Sequence, residues 1–392
     1  MRHGTADDSV PCFEKAAKEA PMHEGLLNSK RPSLDALTGV RFFAAFAVFM
    51  FHYGASFSEQ IGVPKPLTTF LHNGYYGVSM FFVLSGFIMT YTYTGKLSTK
   101  IELYEFAVAR IARIYPVYLL VLVIALPVLT SPIDSRGVVA VLLMLQSWTP
   151  AASNFGYTWV MQAWTLSVEM FFYAIFPLVL AICGGLQLRG ITTGMILVGT
   201  AIVAFGLPTI TPGTQSIPLI PNGLGLPLPV LRSFEFVFGL LLCRFMFMAP
   251  QTARTLARGP ITFLTLTLIV AILSFSVNSQ ITALATILFG LLIIQLAISK
   301  SWLVTFLSTR VILLLGGASY ALYLAQGPIR EWVRLLIPGK LLGSVVNPVV
   351  ALLIAIAIFM YFERPLRLFV RDALMIRTKP PAQGTRPVKT NS

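Results

Sequence analysis

In the stretch RFFAAFAVFMFHYGASF, residues 41–57, an arginine and a histidine stand 11 residues apart in an otherwise apolar run. At about 100° per residue this spacing returns both side chains to one helix face, roughly 16 Å apart along the axis. A guanidinium binds phosphate oxygens, and a neutral imidazole takes a proton from a hydroxyl. Arg41 and His52 therefore suit a channel with an anion-binding mouth and a base further in. A snorkelling arginine and a histidine bonded to a neighbouring helix would satisfy the same spacing.

Two further stretches carry charge where apolar surroundings make it costly. FAVARIARIYPVY sets Arg110 and Arg113 at i, i+3. These are two forked donors on one face, fit for phosphate oxygens or for anionic lipid headgroups. QAWTLSVEMFFYAIFP puts Glu169 about ten residues into an apolar run. At that depth a carboxylate could orient His52 and steady its imidazolium, or it could hold two helices together by a hydrogen bond. Arg232 and Glu235, also i, i+3, read as a pair that neutralises itself, and Glu363 with Arg364 reads as a helix end. His72 is expected in a solvated external loop, which leaves His52 as the histidine at membrane depth.

These groups must be positioned by a membrane bundle. The 392 residues are 56% hydrophobic and 11% charged. That is more apolar surface than a soluble core can absorb. The formal charge of +14 sits in short clusters between apolar runs. This is the pattern of topology signals and headgroup contacts and not of a nucleic-acid face. Cys12, Cys183 and Cys243 are too scattered to form a disulfide framework or a metal site.

Ten runs approach the ~20 residues that cross a bilayer: 40–57, 73–93, 114–131, 159–183, 191–208, 230–248, 261–277, 281–299, 318–337 and 345–362. An eleventh, Val138–Trp148, is too short and is expected to be half inserted. With it left out of the count, the basic connections Lys96–Arg113, Arg189, Arg244–Arg258 and Lys300–Arg310 fall on one side with both tails, as the positive-inside rule requires. The external loop with Arg330, Arg334 and Lys340 runs against that rule. The expected architecture is all-α: a cytoplasmic tail over 1–30, a membrane domain over 31–367 and a basic cytoplasmic tail over 368–392. The expected location is the bacterial inner (cytoplasmic) membrane, with both termini cytoplasmic.

RFFAAFAVFMFH, GVSMFFVLSGF, RIARIYPVY, WTLSVEMFFYAIFP, RSFEFVFGLLL, GASYALYL and ERPLR occur in this order between about residues 31 and 367. Together they resemble the acyltransferase-3 family of integral-membrane O-acyltransferases, which acylate sugars of lipopolysaccharide, capsule, exopolysaccharide, Nod factors and some antibiotics. The resemblance implies acyl-CoA, most commonly acetyl-CoA, as donor substrate with no bound cofactor or metal, and a carbohydrate or glycolipid hydroxyl as acceptor. It also implies His52 as the essential base, Glu169 as its supporting carboxylate, and Arg41, Arg110 and Arg113 as receivers of the CoA phosphates. Ser79, Trp164, Tyr320 and Gln326, within or beside these motifs, are candidates for acceptor contact or channel lining.

Two positions depart from the family pattern. Gln326 stands where a second histidine is usual, and an amide cannot transfer protons. Ser79 stands where an acidic residue is common. The rival reading is a glycolipid or polysaccharide transporter or flippase, which would distribute pore-lining charge over several helices and show repeat symmetry; neither pattern is visible. G-x-S-x-G, a Gly-rich phosphate loop, His-x4-Asp and a late apolar-run histidine, the marks of other acyl-transfer or nucleotide-binding classes, are missing.

Overall fold

A computed structural model of the chain describes residues 33–129, 135–148, 159–205, 227–276, 279–337 and 339–375. The expected N-terminal tail, most of the connection between the runs 191–208 and 230–248, and the end of the expected C-terminal tail lie outside the described residues. Within them the chain is helical throughout, with no strand: α1 (Asp35–Gln60), α2 (Lys65–His72), α3 (Gly77–Tyr93), α4 (Lys100–Ala125), α5 (Ser135–Leu142), α6 (Trp164–Gly184), α7 (Leu188–Phe205), α8 (Leu228–Met248), α9 (Pro250–Leu256), α10 (Gly259–Phe275), α11 (Ser279–Ile298), α12 (Trp302–Leu307), α13 (Arg310–Leu336), α14 (Lys340–Ile358) and α15 (Arg364–Met375). A π turn, Phe359–Glu363, joins the last two.

Each of the ten apolar runs falls on helix within the described residues, and the chain is a polytopic membrane bundle. Among the described residues six helices are long and apolar enough to cross a membrane: α1, α4, α6, α11, α13, and α14 running on into α15. The bent pair α9–α10, broken by 63°, would make seven. The remaining expected spans fall short for visible reasons. Helix α3 has 17 residues, the continuous apolar part of α7 is short, and α8 carries Arg232, Glu235 and Arg244.

Helix α4 starts well before its apolar run because a capping box fixes it. The Glu102 N–H donates to Thr99 Oγ1 at 3.2 Å. Glu102 Oε2 accepts from the Thr99 and Ser98 N–H groups at 2.9 and 2.8 Å. Arg110 and Arg113 therefore stand inside one continuous helix. The short run Val138–Trp148 does not cross. It forms the eight-residue α5 and then turns back through Met144, whose φ is 55°. Tyr118 Oη donates to the Val141 carbonyl at 2.7 Å, Gln146 Nε2 to that of Ala163 at 2.7 Å, and Ser147 Oγ to that of Trp164 at 2.7 Å.

Two backbone crossings hold the centre. In lipid, helix association relies on close packing and hydrogen bonding, since apolar side chains gain little by leaving one apolar phase for another. Helices α3 and α8 touch at Gly86 and Gly239, where a Cβ would lie 1.9 Å from the Phe236 and Val83 carbonyl oxygens respectively. Helices α1 and α13 meet at Gly316, where a Cβ would lie 2.1 Å from the Thr38 carbonyl oxygen. The second crossing places Arg41 and Tyr320, each about one turn further along, at one level of the bundle.

Gly239→Ala should therefore force α3 and α8 apart and cost about 1–3 kcal/mol, the usual range for overpacking. Gly184→Ala, at a position with open space around it, should be neutral or stabilising. Thermal melts of the two variants in detergent check this; equal melting temperatures would contradict the crossing.

Candidate active site

Arg41 from α1, Arg110 and Arg113 from α4, Glu169 from α6 and Tyr320 from α13 line one cavity, walled on the α3 side by Val78, Phe82 and Ser85. Four helices contribute these groups, so the cavity is a product of the packing. The charges acting most strongly on Arg41 are Arg113, Glu169 and Glu363. Glu169 accepts a hydrogen bond from the Tyr173 hydroxyl on its own helix. Tyr320 Oη donates to the Ile114 carbonyl at 3.0 Å and ties α13 to α4 one residue beyond Arg113.

Arg110 is held differently. Its guanidinium lies 5.5, 5.9 and 5.6 Å from the ring centres of Tyr93, Phe106 and Tyr173 and donates to Tyr93 Oη at 3.1 Å. Aromatic faces stabilise a cation without neutralising it. Its Nε has no partner. Among the described residues no ion pair closes between any of these arginines and a carboxylate; the pairs that do close are His72–Glu59, Arg232–Glu235 and Arg334–Glu331. The cavity is therefore a cationic space with donors left over, fit for a phosphorylated ligand.

His52 does not line this cavity. It sits half-buried on α1 between the rings of Phe51 and Tyr53, 4.9 and 5.9 Å away, towards the other end of the bundle. Arg330, exposed near the end of α13, is the charge that acts on it, and that guanidinium lies 5.0 Å from the centre of the Tyr53 ring. Gln162 reaches the Tyr53 hydroxyl from the short turn before α6. Among the described residues, the cavity that holds Arg41 does not reach His52. Helix α3 closes on α1 between them, with a Gly77 Cβ position only 2.4 Å from the Ala44 carbonyl oxygen. A shared helix face does not guarantee a shared space.

The same separation holds between Glu169 and His52. Glu169 stands in the arginine cavity, and the charge at His52 comes from Arg330. The count along α6 gives an approximate depth and no direction around the axis.

Of the other candidates, Tyr320 lines the cavity. Trp164 packs edge-on against Phe82 with ring centres 6.2 Å apart, and Phe82 is part of the cavity wall. Ser79 is fully buried in α3 close to the Arg232–Glu235 pair, whose closest N–O distance is 3.2 Å. Gln326 is fully buried one turn before Arg330; its Nε2 donates to the Tyr323 carbonyl at 2.8 Å and its Oε1 is unpartnered. His72 pairs with Glu59 at 2.8 Å instead of standing alone in solvent.

Arg330, Gln162 and Arg367 are not singled out as site residues by the sequence, in which Glu363 reads only as part of a helix end. For Arg330 a signal exists, since it belongs to the cluster that breaks the charge rule.

The matched family is that of the acyltransferase domain, over residues 34–364. The chain is similar to the acyltransferase MdmB of Streptomyces mycarofaciens, 31% identical over 228 residues, which cover 53% of this chain and 56% of that protein. It is also similar to the O-acetyltransferase OatA of Staphylococcus aureus, 27% identical over 161 residues, 38% of this chain and 24% of that one. A putative O-acetyltransferase of the same organism, SACOL0978, is 24% identical over 192 residues, 44% and 29% of the two chains. The matched part thus spans about half of MdmB and about a quarter of OatA. No solved structure matches.

A cavity with surplus cationic donors makes a prediction that needs no substrate. Inorganic pyrophosphate should raise the melting temperature of the detergent-solubilised protein, because a ligand that binds only the folded state stabilises it. Arg113→Ala should remove most of that rise. A shift equal in both proteins would place pyrophosphate elsewhere.

Proposed function

The chain belongs to the acyltransferase-domain family matched over residues 34–364, and on that premise we propose that it moves an acyl group from acyl-CoA to a hydroxyl of a carbohydrate, with His52 as general base. The observation that carries this reading is the convergence of Arg41, Arg110 and Arg113, from two helices, on one cavity in which they close no ion pair. Their forked donors suit the phosphates of a CoA headgroup. Glu169 belongs to this donor end, where its charge limits the repulsion among the guanidiniums. The O-acetyltransferase names of relatives support a hydroxyl acceptor.

The thioester must reach His52 from the cavity, roughly 16 Å along α1. An extended pantetheine arm is the part of CoA slender enough to make this passage, and side chains of the cavity wall such as Phe82 and Tyr323 must give way to it. His52 then accepts the proton of the acceptor hydroxyl as its oxygen bonds to the thioester carbonyl carbon. The C–S bond breaks, and the imidazolium returns the proton to the departing sulfur, leaving an ester and CoA. No covalent enzyme intermediate is needed. Acetyl is the acyl group in the names of the O-acetyltransferase relatives; the acceptor belongs to surface or secreted saccharide, and the enzyme to the inner membrane.

General-base help of this kind is worth about 10²- to 10⁴-fold. His52→Ala should lower acylation by that factor while CoA binding at the arginine cavity and membrane insertion persist. Mass spectrometry of ester-linked acyl groups on envelope and secreted glycans, in strains carrying the native chain, His52→Ala or neither, checks this. Full acylation with His52→Ala would remove the mechanism. Loss of the glycan itself, and not of its decoration, would favour a transporter.

A further inference from the structure

The junction of α14 and α15 has no role in the reading above, yet Glu363 on it acts electrostatically on Arg41 and Arg113 of the cavity. The π turn Phe359–Glu363 widens the helix by one residue just before the chain reaches the arginines. Such wide turns are rare and collect at functional sites. Here the turn buries Glu363, 5% exposed, while Tyr361, two residues earlier, is 79% exposed. Glu363 Oε2 has no hydrogen-bond partner, and the charges that act on Glu363 are those of Arg113, Arg41 and Arg367.

Helix α15 packs along α4, and Arg367, one turn past Glu363, comes under the charges of Glu363, Arg113 and Arg110. Arg367 is exposed, whereas Arg41, Arg110 and Arg113 are half-buried. The guanidiniums are thus graded, with three on the cavity wall and a fourth, more exposed, on the helix packed along α4. Four guanidiniums face two carboxylates there, Glu169 and Glu363, and among the described residues no ion pair closes between them. A ligand with two separated phosphate groups matches that gradation. CoA has a diphosphate at the head of its arm and a 3′-phosphomonoester on its ribose.

Resting on the acyl-CoA reading, we propose that Arg367 is a donor-specificity residue: it binds the 3′-phosphate of CoA at the rim of the cavity, while Arg41 and Arg113 hold the diphosphate further in. The monoester carries close to two charges at neutral pH and sits where one exposed guanidinium can reach it without displacing the buried ones. Lysine at 367 would supply the charge without the fork, so it should restore part of the contact.

The test is calorimetric titration of the full-length protein in lipid nanodiscs with CoA and with 3′-dephospho-CoA. The native chain should prefer CoA by about tenfold or more, the usual size of a hydrogen bond to a charged group. Arg367→Gln should bind both ligands alike, at the affinity of the native chain for 3′-dephospho-CoA, and Arg367→Lys should fall between. Equal binding of the two ligands by the native chain would overturn the assignment, as would an Arg367→Gln variant that weakens both in the same proportion. If neither ligand bound any of the proteins, the acyl-CoA reading itself would fail. If CoA bound without preference, only the role of Arg367 would.

Discussion

Like charges repel most strongly where water is scarce, and this bundle brings Arg41, Arg110 and Arg113 to one cavity among apolar helices. Everything around the cavity answers that constraint. Three aromatic faces and a tyrosine hydroxyl surround Arg110, two carboxylates lie within electrostatic reach, and Tyr320 and Tyr173 turn their hydroxyls to the chain and to Glu169. The compensation remains incomplete. A fully paired cluster would be more stable and would have no donors left for an anion. Unmade ion pairs are therefore informative, because folding alone gives no reason to assemble these groups without closing them.

The helices were legible because a long apolar run has little choice in lipid, where each backbone N–H and C=O must be satisfied within its own segment. The start of α4 was not, since five charges interrupt residues 100–113 and only the Thr99–Glu102 box marks their beginning. Arg110 and Arg113 were recognisable as a pair from their spacing. Their meeting with Arg41 depends on the crossing at Gly316 and on how α4 turns, which one helix cannot reveal. Glu169 was set against the wrong partner, because distance along an axis says nothing about direction around it. Arg367, and the face that Glu363 presents, escaped because 100° per residue ceases to hold at the π turn.

The two polar ends of the bundle lie on one helix and in different surroundings. At one end the arginines face a cavity bounded by aromatic residues; at the other His52 stands between Phe51 and Tyr53 with Arg330 above the Tyr53 ring. Between their levels α1 and α3 touch at Gly77, a close glycine contact that parts the two ends along that side of α1. Buried Arg232 and Glu235, behind Phe82 and Trp164, add a polar brace to the same partition.

The wide turn at Phe359–Glu363 has a consequence for how this segment tolerates change. In an ordinary α-helix one residue is about 100° of turn, whereas the wide turn takes up one residue beyond that count. Phenylalanine, methionine and tyrosine there could be exchanged for other apolar residues with little effect on the direction of Arg367. Deleting any one of them would remove the extra residue and close the wide turn into ordinary α-helix. Spelling is negotiable in this stretch, and length is not.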